Sequence, residues 1–165
     1  MAMEPHATTF SLNNAQILGQ AAAVAYETDT ACRAWAESHG FEPDSLEFFD
    51  VRDTQGFVVQ NAQSVVVAFR GTQPNRPVDW LSDFEASPET WAHPVGTVHK
   101  GFYEALRVAW QVRVNGREIL PARLVARGNR TVWITGHSLG GALAQLCAAQ
   151  AFFRSEEHTS ELQSH

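Results

Sequence analysis

Residues 131–149 read TVWITGHSLGGALAQLCAA. An apolar run leads into Gly136-His137-Ser138-Leu139-Gly140, and a small-residue run follows. This is the G-x-S-x-G pattern of a nucleophile elbow, set between a strand and a helix as that pattern requires. The chemistry it offers is attack by the Ser138 hydroxyl on an acyl carbon. Gly136 and Gly140 have a steric task. So tight a turn holds its serine in a strained backbone conformation, and side chains at 136 and 140 would collide with neighbouring backbone. The turn lifts the hydroxyl clear of the sheet edge, at a helix N-terminus. Free N–H groups and the helix dipole there favour negative charge where an oxyanion forms.

The second half of an oxyanion hole comes from an earlier strand-end loop. Residues 65–69 form such a strand, and Arg70-Gly71-Thr72 follows. Gly71 permits close backbone approach, and Thr72 offers both an N–H and a hydroxyl. His137 adjoins the serine, but consecutive residues in a tight elbow point apart, so it is read as a packing or hydrogen-bonding group. Cys147 is read as a small buried hydrophobe behind the nucleophile. Asp79 and Asp83 flank Trp80-Leu81. A surface helix start accounts for them, and the alternative is that Asp79 braces the oxyanion loop by hydrogen bonding. Trp91, with Pro94, either lines an acyl groove or makes a plain hydrophobic contact.

The elements that must position these groups follow from periodicity. Residues 12–26 read as an Ala-rich amphipathic helix capped by Asn13 or Asn14, with Ile17, Ala21, Val24 and Ala25 at helical spacing. Residues 30–39 read as a second helix, capped by Asp29 or Thr30 and stopped at Gly40. Strands are expected at 46–52 and 57–60 about a turn at 53–56, and a buried central strand at 64–69. Residues 78–86 read as a short helix or turn. A helix is expected from Gly101 to about Val114, with helical character continuing to Arg127. Its inner face carries Phe102, Leu106 and Ala109. A strand at 131–135 and a helix at 140–153 complete the order. Strands in a meander, then alternating with helices, predict a mixed α/β sheet.

Composition sets the outer bounds. The chain has 165 residues, 44% hydrophobic and 18% charged, so it can bury a core and is one domain in size. Twelve basic and 18 acidic residues leave a net charge of −6 with no basic cluster, which argues against nucleic acid as a partner. Two cysteines, Cys32 and Cys147, are too few for a zinc site or a disulfide framework. No apolar run is long enough to span a bilayer, so stable membrane insertion is not expected. No basic segment followed by an apolar core opens the chain, so the cytoplasm is the default expectation if Met1 is the true start. Residues 154–165, RSEEHTSELQSH, match the in-frame translation of a common sequencing adapter. They are expected to be a non-native tail on a partial domain of residues 1–153.

Four stretches, VVVAFRGT, DWLSDF, VHKGFYEAL and VWITGHSLGGALAQLCAA, stand in that order along the chain. Together they make the sequence resemble the class 3 lipases, the fungal lipase-like family, over roughly residues 12–153. The resemblance implies the N-terminal part of an α/β-hydrolase fold. It also implies a Ser-Asp-His triad that cleaves carboxylic esters of lipids, as triacylglycerol lipases do, with no cofactor and no metal. Lipid or another ester is then the substrate, with transient contact at a lipid interface. Ser138 matches the nucleophile, and Leu139 and Thr72 match the oxyanion donors. Residues 73–84 correspond to the lid, so Asp79, Trp80, Leu81 and Trp91 are candidates for lid or acyl groove. His99 falls in a shared motif and is read as a structural contact near the site. A phospholipase A1, another esterase of this fold, or an inert lipid-binding relative are the competing readings.

In this fold the acid and the histidine follow the serine along the chain. After Ser138 there is no aspartate, and the carboxylates and histidines present are Glu156, Glu157, Glu161, His158 and His165. If the helix continues, Glu156 lies about 27 Å along it from Ser138, at about 1.5 Å per residue. A base must come within hydrogen-bond reach. The acid and base are therefore expected beyond residue 153, and this chain by itself is expected to be inactive.

Overall fold

A computed structural model describes residues 2–52, 54–71, 88–91 and 96–163. Two helices open the chain, α1 (Leu12–Val24) and α2 (Asp29–Ser38). Ser11 caps α1, its hydroxyl accepting the Asn14 N–H at 3.1 Å, and Thr28 caps α2 through the Ala31 N–H at 3.3 Å. Both caps lie before the expected ones, because Ser11 and Thr28 are the residues still in extended backbone. Asn14 is instead buried, and its amide holds the N-terminal arm by bonding both the N–H and the C=O of Glu4.

A meander follows: β1 (Glu47–Val51), β2 (Thr54–Gln60) and β3 (Ser64–Phe69), paired antiparallel. The turn between β1 and β2 is tighter than expected, since Thr54 already pairs with Val51. Gly56 is part of β2 rather than of the turn. It faces Phe49, and a Cβ there would stand 2.7 Å from the Phe49 ring, so the missing side chain makes room for that ring. Asn61 closes the next turn, its side-chain oxygen accepting the N–H groups of Gln63 and Ser64 at 2.9 and 2.8 Å.

Next come β4 (Pro88–Thr90) and β5 (Thr97–His99), a small hairpin, and then α3 (Lys100–Trp110). The helix expected to reach Val114 ends at Trp110. Asn115 and Gly116 take positive φ of 52° and 80°, and they join β6 (Arg113–Val114) to β7 (Arg117–Glu118) as a two-residue hairpin. Asn-Gly is the sequence that this twist demands, and it overrides the helical propensity around it. Then come α4 (Ile119–Leu124), β8 (Thr131–Gly136) and α5 (Leu139–Gln163). The last helix begins one residue before the expected Gly140 and runs without a break past residue 153.

β8 lies parallel to β3, giving the sheet order β1-β2-β3-β8. Every residue of β3 is buried, whereas β8, at the end of the order, is half-buried throughout. Alternation along β2 and β3 sorts their side chains to two faces. Val58, Val65, Val67 and Phe69 pack with Leu106, Leu120, Leu143 and Cys147 of the later helices. Phe57, Val59, Val66 and Ala68 pack with Ile17, Ala21 and Trp35 of α1 and α2. This is a mixed sheet covered by helices on both faces, as the element order predicts. Among the described residues no helix is long and apolar enough to cross a membrane.

Candidate active site

β3 and β8 end level with each other, Phe69 opposite Gly136. The chain leaves β8 at Gly136 and enters α5 at Leu139, so only His137 and Ser138 make the turn. Ser138 takes φ of 56°, the left-handed region that costs a residue with a Cβ. Bonds from Gly140 N–H to the His137 carbonyl and from Gly141 N–H to the Ser138 carbonyl, both 2.9 Å, close it. A Cβ at Gly136 would overlap the backbone of Gly140, and a Cβ at Gly140 would overlap the carbonyl of Phe69. Both glycines are therefore contact requirements, the first within the turn and the second between α5 and β3.

The result exposes Ser138 at the N-terminus of α5. Leu139 is buried, and as the first helical residue its N–H has no intrahelical acceptor. That leaves a backbone donor on the residue next to Ser138. The loop leaving β3 supplies the opposite wall. A Cβ at Gly71 would overlap the His137 carbonyl, and would stand 2.5 Å from the Tyr26 hydroxyl and 3.2 Å from Ser138 Cβ. Arg70 anchors the start of this loop. Its N–H donates to the Gln55 carbonyl at 2.8 Å, and its guanidinium donates to the Gln55 side chain.

Of the expected site residues, the structure thus brings together Gly136, Ser138, Leu139 and Gly140, with Gly71 against them. Thr72, Asp79, Trp80 and Leu81 lie outside the described residues. Trp91 is buried, its ring 6.2 Å from that of Tyr103 on α3. His137 is exposed and hydrogen-bonds through Nδ1 to the Tyr26 hydroxyl at 3.1 Å. His99 precedes α3, its ring 4.7 Å from that of Phe102. Cys147 is fully buried, and burial pushes its thiol pKa up. Because α5 is continuous, it carries Glu156 away from Ser138 rather than back towards it.

Tyr26 is the residue that sequence reasoning misses. It accepts the Gly71 N–H at 3.1 Å while bonding His137. Nothing local marks it, because it lies just past the end of α1. Only the packing of α1 on the sheet, with the Thr135 hydroxyl donating to the Leu18 carbonyl at 3.3 Å, brings it to the elbow.

Residues 66–164 match the family described as Lipase (class 3). The chain is 29% identical over 153 residues to "Lipase ZK262.3" of Caenorhabditis elegans, covering 87% of this chain and 42% of that protein. It is 30% identical over 109 residues to a lipase of Rhizomucor miehei, covering 64% of this chain and 29% of that protein. Among solved structures, Rhizomucor miehei triacylglyceride lipase superposes with a TM-score of 0.63 at 22% identity, over 91% of this chain and 58% of that one. A lipase from Rhizopus microsporus var. chinensis does so with a TM-score of 0.61 at 23% identity, over 93% and 58%. The chain spans less than half the length of the first two relatives and a little over half of the two solved chains. These likenesses give the sheet and its helices as part of an α/β-hydrolase fold, and the match over residues 66–164 places the chain in the class 3 lipase family.

Proposed function

We propose that this chain carries the nucleophile of a serine carboxylic-ester hydrolase acting on lipids, of the triacylglycerol lipase type. The observation that carries the reading is the left-handed backbone of Ser138 at the N-terminus of α5, wedged against the loop that leaves β3. Relatives named triacylglycerol lipase in Ricinus communis and Arabidopsis thaliana support the substrate class. In the whole enzyme, Ser138 Oγ bonds to the ester carbonyl carbon and its proton passes to a histidine that an aspartate orients. Leu139 N–H and Thr72 hold the negative oxygen. The C–O bond to the alcohol breaks as the histidine returns the proton to the leaving oxygen, and water then hydrolyses the acyl-enzyme. In enzymes of this fold both partners follow the serine along the chain. Neither belongs to residues 1–153, and the helix leads Glu156 away from the site. Residues 154–165 are treated as a tail foreign to this domain, and a genomic read encoding RSEEHTSELQSH after Phe153 would remove that part of the proposal.

Hydrolysis of a short-chain aryl ester tests the reading. The 165-residue chain is expected to turn over no faster than its Ser138→Ala variant, and the complete parent enzyme far faster. Robust hydrolysis by the chain, abolished by Ser138→Ala, would place a base within it. A complete parent that binds lipid esters without hydrolysing them would favour a lipid-binding role instead.

A further inference from the structure

We infer that Tyr26 is a positioning residue that locks the loop after β3 to the nucleophile elbow, through its hydrogen bonds to Gly71 and His137. The inference rests on the reading of Ser138 as nucleophile. Tyr26 stands 45 residues from Gly71 and 111 from His137, and its hydroxyl is 3.1 Å from the nitrogen of each. A phenol carries one proton. The Gly71 backbone N–H can only donate, so the Tyr26 oxygen accepts it. The hydroxyl keeps its own proton and a second lone pair, and it pairs with His137 Nδ1 in the direction that the imidazole tautomer sets.

Two consequences follow for the chemistry. First, the Gly71 N–H is committed to Tyr26 and is not an oxyanion donor. Second, the strained backbone of Ser138 needs restraint from its surroundings. Ser138 and His137 are both exposed, so burial does not supply it. The Tyr26 hydroxyl supplies it through its two hydrogen bonds. It ties His137, the residue before Ser138, to Gly71 in the loop that leaves β3. Tyr26 itself is held by the backbone turn after α1, where its N–H donates to Ala23 and that of Glu27 donates to Val24.

The test uses the 165-residue chain and phosphonylation of Ser138 by an aryl alkylphosphonate at alkaline pH, where hydroxide replaces the missing base. Nitrogen-15 spectra of His137 and hydrogen exchange of the Gly71 amide are recorded alongside. Tyr26→Phe keeps the ring and removes the hydroxyl. It is expected to slow labelling about tenfold to a hundredfold, the scale of a misplacement near 1 Å, to unprotect Gly71 and to shift the His137 Nδ1 resonance. His137→Leu is expected to slow labelling as well, and His137→Asn, which keeps an acceptor at the Nδ1 position, to recover most of the rate. Tyr26→Phe labelling at the wild-type rate would overturn the inference, as would His137→Asn proving as slow as His137→Leu. A complete parent enzyme that never labels at Ser138 would overturn the nucleophile reading and the positioning role with it. Unaltered Gly71 exchange and His137 resonance in Tyr26→Phe would instead overturn the tether alone.

Discussion

Phe69 and Gly136 are register partners at the ends of the parallel strands β3 and β8. Two loops therefore leave the sheet side by side at its C-terminal edge, where open α/β sheets hold their ligands. One carries Gly71 and the other Ser138. The same register seats Gly140 on the Phe69 carbonyl, so α5 starts against β3 with no side chain between them. The elbow is thus built by strand register and by glycines placed where backbone meets backbone.

That packing makes the effect of a single methyl group depend on position. Gly71→Ala puts a Cβ into the His137 carbonyl and the Tyr26 hydroxyl. It should cost about 1–3 kcal/mol, the range for overpacking. Gly19→Ala places the same methyl in α1, where nothing lies within 4 Å. It should stabilise by about 0.5–1 kcal/mol through helix propensity. Urea midpoints of the two variants should move in opposite directions, and a shared direction would mean that the loop is not packed against the elbow.

The two buried thiols predict an alkaline loss of stability. Burial, reinforced by Asp29 and Glu27, pushes the Cys32 pKa up from the usual 9.0 to about 11, and burial alone raises that of Cys147. Between the unfolded and folded values the unfolded chain ionises while the folded chain keeps its protons. Stability from these groups is therefore complete below pH 9 and falls as pH rises from there towards the folded values. The slope reaches about 1.4 kcal/mol per pH unit for each thiol. Urea unfolding from pH 8 to pH 10.5 should show this fall, and a Cys32→Ala/Cys147→Ala double variant should flatten it. An unchanged slope in the double variant would remove the thiols as its cause.

If residues 73–84 form the lid that the family resemblance implies, their sequence anticipates substrate access in the complete enzyme. Gln73-Pro74-Asn75-Arg76-Pro77-Val78-Asp79 has few apolar residues before Trp80 and Leu81, and two prolines that oppose a helix. A lid so polar has little apolar surface to open onto lipid. Weak interfacial activation is expected, with appreciable hydrolysis of short-chain esters below their solubility limit. A sharp rise in rate at that limit, removed by Trp80→Ala in a folded enzyme, would instead make Trp80 and its apolar neighbours the lipid-facing surface.

The elbow was legible because its requirements are local. Gly136, Ser138 and Gly140 are close enough in sequence for one turn to explain them. The buried run 64–69 was legible for the same reason, being β-branched and continuous. The end of α3 was not, because a helical pattern continues past it, while Asn115 and Gly116 end it by taking positive φ. The helix caps were misplaced by a residue or more because Asn13 and Asn14 also suit the role by type, and only the backbone angles single out Ser11. Tyr26 was invisible because its significance comes from contacts across 45 and 111 residues. Long-range register is a property of packing, and no periodicity encodes it.

The central claim is that Ser138 is the acylated residue of a lipase-family hydrolase. Peptide mapping by mass spectrometry, after the complete parent enzyme reacts with one equivalent of an aryl alkylphosphonate, tests it most directly. A single phosphonyl adduct on Ser138 is expected, with loss of hydrolytic activity in proportion to its yield. Full inactivation with the adduct on another residue, or a fully labelled Ser138 in an enzyme that still hydrolyses esters, would contradict it.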